Sequence, residues 1–268
     1  MAENNYYGLS CDPFDKHFNT AGNVFRSKDF VAASSRLDHL KEVRGLGVFT
    51  AAPGMGKSMA MKYFAEGLNP NLYKVIYTSL STITVGEFYK QLCEEMGISD
   101  AYGKVGRVKA IKEEIEYMFK EKKQTLIMII DEAQYLNNSI LSDLKMLMNF
   151  RYDSLNCFVL ILCGESYLCS TLNKPIHVSL KQRIIVHYEY EGLKDDEIKE
   201  YVLHKIGWAN GAESIIDVSA LSALHSYSAG NPRVIDNLMS DALILGAQLE
   251  KKVIDSELIM YAAENRSF

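Results

Sequence analysis

No stretch of this chain approaches the ~18 consecutive apolar residues of a membrane-spanning helix, so no span is expected. The opening MAENNYYGL has neither the basic start and apolar core of a signal peptide nor the make-up of a transit peptide. The five cysteines, Cys11, Cys93, Cys157, Cys163 and Cys169, contain no C-x-x-C pair and no His/Cys grouping with zinc spacing. Cys157, Cys163 and Cys169 do fall six apart, but the first two bracket an apolar run that reads as a buried strand. Thiols used this way fit a reducing cytoplasm, the expected location. Positive charge is also short: a formal net charge of −5 gives no global pull towards nucleic acid, so any such contact needs a local patch. Repeats, low-complexity tracts and long linkers are absent from the sequence. What remains is an ordinary globular composition, 48% hydrophobic and 24% charged, in 268 residues that can bury one large or two modest domains.

The chain is organised around AAPGMGKS, residues 51–58. An apolar run (Val48, Phe49, Thr50) precedes it and a helical pattern (Met59, Ala60, Met61, Tyr63, Phe64) follows, which is the strand, glycine turn and helix of a phosphate-binding loop. Backbone N–H groups from Gly54 to Lys57 would face phosphate oxygens, reinforced by the partial positive charge of the helix start. The contacting candidates are Pro53, Gly54, Met55, Gly56, Lys57, Ser58 and Met59, with Lys57 on the outer phosphates of ATP and the Ser58 hydroxyl on Mg²⁺. Ala51 stands where the motif G-x-x-x-x-G-K-[ST] has its first glycine. An ordinary glycine-containing turn is the plain alternative.

LIMIIDEAQ, residues 126–134, supplies the second half. Five apolar residues ending in two acids read as a buried parallel strand, and ligands of such sheets bind at the strands' C-terminal ends. Asp131 would hold the Mg²⁺ shell and Glu132 would orient or deprotonate the attacking water. A solvated Asp-Glu pair would be the bland version of the same sequence.

Strands are expected near residues 46–51, 73–79, 125–130, 158–163 and 184–190, separated by helices. Thr84-Val85-Gly86-Glu87 matches a capping box ahead of a helix whose inner face is Phe88, Leu92 and Met96. Residues 106–123 give another helix, with Ile111, Ile115 and Met118/Phe119 inward, and 139–150 a third. This alternation predicts an α/β fold: a five-stranded parallel sheet covered by helices on both faces. After Gly192 only helical patterns remain. The expected division is therefore 1–192, an aromatic N-terminal segment plus the nucleotide-binding domain, and 193–268, a small all-helical lid. The rings of the N-terminal segment (Tyr6, Tyr7, Phe14, Phe18, Phe25) are expected to drape over the domain, either against the adenine base or as core packing.

Together AAPGMGKS, LIMIIDEAQ, the LKQRI of 180–184 and the GNPRVIDNL of 230–238 resemble the AAA+ ATPases, in particular the ExeA-like and transposition-helper (TniB, TnsC, IstB) branches. YYGLSCDPF, residues 6–14, resembles the N-terminal signature of that branch, so the likeness runs over essentially the whole chain. The resemblance implies that Arg233 is a lid arginine sensing the outer phosphate. It implies that Arg183 acts as an arginine finger on a neighbouring subunit's nucleotide, with Arg151 a weaker competitor. The polar sensor after the fourth strand stays open between Glu165 and Ser166. It further implies that Lys104, Arg107, Lys109 and Lys112 follow the backbone of duplex DNA without sequence preference. A solvated face explains those four equally well, since Lys112 can pair with Glu116 along a helix.

The function implied is an ATP-dependent regulator of DNA transposition. It would assemble as a ring or helical filament on DNA, recruit a separate transposase and make no membrane contact. An ExeA-like ATPase of envelope secretion is the alternative, disfavoured at this stage because such proteins typically continue into a membrane span and a wall-binding domain. A nucleotide-gated switch without turnover is the third, and Glu132 argues against it.

Overall fold

The computed structural model describes residues 5–16, 21–79, 84–150 and 155–266. Its sheet has five strands: β1 (Gly45–Thr50), β2 (Tyr73–Ser79), β3 (Thr125–Asp131), β4 (Phe158–Gly164) and β5 (Ile184–Glu189). They run in the order β2-β3-β4-β1-β5, and every pairing is parallel. The three inner strands, β3, β4 and β1, are buried along their whole length, as their unbroken apolar runs predict. The edges β2 and β5 are only partly buried, since each has a strand neighbour on one side only.

Helices flank the sheet: α1 (Lys28–Val43), α2 (Lys57–Glu66), α3 (Val85–Met96), α4 (Gly103–Lys120), α5 (Asn138–Leu147), α6 (Tyr167–Leu172) and α7 (Val178–Lys181). α3 begins with the expected capping box: Glu87 N–H donates to the Thr84 hydroxyl and the Glu87 carboxylate accepts from Thr84 N–H at 2.8 Å. It ends at Gly97, whose φ of 80° suits glycine, with Phe88, Leu92 and Met96 buried between. Ile111, Ile115 and Met118 of α4 are buried as the pattern required. α1 starts at Lys28, where the Ser27 hydroxyl accepts from Phe30 N–H at 3.1 Å and caps it. The short α6 was not foreseen.

After residue 191 come α8 (Asp195–Trp208), α9 (Val218–Ser228), α10 (Pro232–Gln248) and α11 (Ser256–Asn265), with a lone bridge between Ile216 and Ile254 as the only β pairing among the described residues there. The chain clusters into two compact units. One contains the sheet, Ala33–Pro53 and Ala60–Tyr190; the other contains the described residues up to Ala32, then Gly54–Met59, and everything from Glu191 on. The described residues of the N-terminal segment up to Ala32 thus cluster with the helices that follow β5. Tyr7, Leu9 and Phe14 share an apolar cluster with Ile198, Val202, Ile235 and Met239. The Tyr7 hydroxyl donates to the Lys251 carbonyl at 2.8 Å, and Asp12 accepts from the Ser240 hydroxyl at 2.6 Å. Core packing thus accounts for Tyr7 and Phe14; Phe18 lies outside the described residues.

All five cysteines are thiols, with Cys157 and Cys163 buried in the sheet unit. Among the described residues no helix is long and apolar enough to cross a membrane.

Candidate functional site

The glycine loop leaves β1 at Thr50 and enters α2 at Lys57. Gly54 and Gly56 both sit at positive φ, 86° and 91°, a region that side chains rarely adopt. At Gly54 space is also limiting: a Cβ there would lie 2.6 Å from Asn231 Oδ1 and 2.7 Å from Arg233 Cβ. The base of Arg233 and the loop glycine are thus in close approach within one unit. Lys57 and Ser58 open α2, where backbone donors without intrahelical partners gather and favour an anion.

GNPR forms the start of α10. The Asn231 side chain accepts from Arg233 N–H at 3.0 Å and Val234 N–H at 3.4 Å, and Pro232 takes a first-turn position where its missing N–H costs nothing. Arg233 is left exposed on the first turn. Asp29, in the first turn of α1, accepts from the N–H groups of Glu191 and Gly192 at 2.9 and 2.8 Å and so fixes the start of the helical segment.

In the sheet unit, Asp131 is the last residue of β3 and is 7% exposed. One of its carboxylate oxygens accepts from Glu132 N–H at 2.9 Å and the other accepts from the Tyr77 hydroxyl on β2. Glu132 stands at φ 54°, ψ 33°, in the left-handed region, where β3 gives way to the turn. Its exposed carboxylate accepts from Gln134 Nε2 at 2.6 Å. The Gln134 oxygen in turn accepts from Glu165 N–H at 3.1 Å, just past β4. Of the two sensor candidates, Glu165 is thus engaged through its backbone, while the Ser166 hydroxyl donates to Glu189 at 2.6 Å. Sequence reasoning passed over Tyr77 and Gln134; the amide two residues beyond the acid in DEAQ was the available signal for the second.

Arg183 is half-buried ahead of β5, its N–H closing the turn of α7 on the Leu180 carbonyl at 3.0 Å. Arg151 lies outside the described residues.

The four basic candidates lie on α4. Lys104 pairs with Asp143 at 2.6 Å, Arg107 Nη1 donates to the Gly86 carbonyl at 3.1 Å, and Lys109 faces Glu113 at 3.7 Å. Lys112 donates to the carbonyls of Met146, in the last turn of α5, and of Asn149 just past it, with its ammonium 5.0 Å from the centre of the Phe150 ring. The expected Glu116 partner of Lys112 is taken by Lys120.

A parallel sheet in the order β2-β3-β4-β1-β5, with a glycine loop after β1, an Asp-Glu pair ending β3 and an all-helical segment after β5, is the build of the AAA+ ATPases. Residues 40–172 match the AAA domain family. Pyrobaculum aerophilum Cdc6p shares the fold, with a TM-score of 0.71 at 14% identity over 96% of this chain and 72% of that one. General secretion pathway protein A of Aeromonas hydrophila is 25% identical over 265 residues, 97% of this chain and 48% of that protein. The Replication factor C small subunit of Staphylothermus marinus is 27% identical over 234 residues, 87% of this chain and 58% of that protein. The chain thus spans about half the length of the curated relatives it matches. Residues 40–172 thus carry an AAA domain, and over nearly its whole length the chain is similar to the ExeA-like branch of the AAA+ ATPases.

Proposed function

We propose that the protein binds and hydrolyses Mg·ATP and uses that cycle to regulate DNA transposition. Lys57 and the loop N–H groups would hold the outer phosphates, and Ser58 and Asp131 are the residues that would hold a magnesium ion, which would neutralise phosphate charge. Glu132 orients the attacking water. Arg233 senses the outer phosphate, and Arg183 neutralises charge on a neighbouring subunit's nucleotide, so turnover depends on assembly. The ring or filament so built on duplex DNA recruits a separate transposase, and hydrolysis dismantles it. The chain divides for this purpose into a nucleotide-binding part and the helical lid from 193 on.

One observation carries the nucleotide half of this reading. β1 and β3 are parallel members of one sheet, so their C-terminal ends share a rim; β1 runs on into the glycine loop and β3 ends in Asp131 and Glu132. Saturable binding of Mg·ATP, lost in Lys57→Ala, is the expected result in equilibrium titration. Equal binding by the variant would remove the reading.

The DNA half draws on the motif resemblance and on α4. Lys104, Arg107 and Lys109 must exchange the intramolecular partners described above for phosphates, an exchange that is easy for Lys109, whose side chain is 75% exposed. Replacing all three by alanine should weaken duplex binding, and the slope of log K against log salt should fall by about 0.9 per lost phosphate contact. An unchanged slope would move the DNA contact elsewhere.

The match to General secretion pathway protein A over 97% of this chain favours a second reading, an ATPase serving envelope secretion. Hydrolysis measured with and without duplex DNA separates the two: stimulation by DNA supports the first, indifference the second.

A further inference from the structure

The structure assigns Gln134 as the positioning residue for Glu132, tying the water-orienting carboxylate to the turn that ends β4. This rests on the role given to Glu132 above. A carboxamide has one donating and one accepting end, and here the partners leave a single orientation. Glu165 offers an N–H, which can only donate, so the amide oxygen must face it, at 3.1 Å. The NH₂ end is then turned to the Glu132 carboxylate, at 2.6 Å. Glu132 is exposed and its backbone is left-handed, so without this bond its three side-chain torsions would be free to sample solvent.

Gly164 makes the arrangement possible from the other side. A Cβ at that position would stand 2.7 Å from the Gln134 amide oxygen and 3.3 Å from its backbone nitrogen, so a side chain there would push the amide off Glu165. One end of the amide thus reads the β4 turn and the other sets the catalytic carboxylate. A shift in that turn would be transmitted to Glu132 through two hydrogen bonds.

The test uses the full chain, with Mg·ATP as probe. Gln134→Met keeps the length and loses both bonds. It should lower kcat about ten- to a hundredfold, the scale of misplacing a reacting group by an ångström, with ATP affinity and unfolding midpoint unchanged. Gln134→Glu keeps an acceptor for Glu165 but sets a second carboxylate against Glu132. It should lower kcat likewise, with ATP affinity again unchanged. A merely structural glutamine would not split kcat from ATP affinity in this way. Parent-like turnover in Gln134→Met would overturn the assignment, as would a loss of kcat matched by an equal loss of ATP affinity. Glu132→Gln, run in parallel, separates the layers. If it turns over normally, the reading of Glu132 falls and this inference with it; if it is inactive beside a normal Gln134→Met, only the inference falls.

Discussion

Glu132→Gln should bind Mg·ATP as the parent does and hydrolyse it about a hundred- to ten-thousandfold more slowly, the range general-base catalysis supplies. The substitution is nearly isosteric, and the new amide oxygen can still accept from Gln134, so neither the β3 turn nor the Asp131 geometry need change. What disappears is the negative charge that orients and deprotonates water. Binding and turnover therefore part company in this variant, whereas Lys57→Ala loses both. Any ATP-dependent assembly should persist in Glu132→Gln long after the parent's has dissolved. Phosphate release under saturating ATP, alongside equilibrium binding of labelled nucleotide, measures the split; parent-like turnover would take Glu132 out of the mechanism.

The parts of this site visible in the sequence are those that local chemistry determines. β2 was read at its observed bounds and the other strands to within a residue at either end, because β-branched and apolar runs bounded by turn residues leave few other solutions. Thr84 and Glu87 announced α3 because a capping box spans only four residues. Tyr77 could not be found this way. Its bond to Asp131 joins residues 54 positions apart and exists because β2 pairs with β3 in the register that sets Ser79 opposite Asp131. The Gln134–Glu165 contact likewise depends on β4 ending beside the turn after β3. The partners of the N-terminal rings were hidden for a related reason. Aromatic content shows that a segment packs, but the choice of the helical unit comes from partners such as Lys251 and Ser240, more than two hundred positions away.

That choice bears on a large stability effect, expected for Lys205→Met. Lys205 on α8 reaches both oxygens of Asp236 on α10 at 2.8 Å, and the Tyr201 hydroxyl donates to the same carboxylate at 2.7 Å. The two charged side chains are only 6% and 11% exposed, and the ammonium lies 5.7 Å from the Phe14 ring of the N-terminal segment. Burial, and then the neighbouring carboxylate, hold the Tyr201 phenol well above its usual range, so it stays a donor to Asp236. Removing Lys205 strands a buried carboxylate and should cost about 3–5 kcal/mol, whereas Lys205→Met with Asp236→Leu should recover most of the loss, since an apolar pair replaces a buried ion pair at little cost. Trp208, the chain's one tryptophan and the last residue of α8, reports on this unit by its fluorescence in denaturant. Because Asp236 lies one turn beyond Arg233 on α10, the single variant should also blunt the response of that arginine to ATP before the unit unfolds. A single variant as stable as the double would mean that the helices are held by their apolar cluster alone and that the ion pair does not anchor α10.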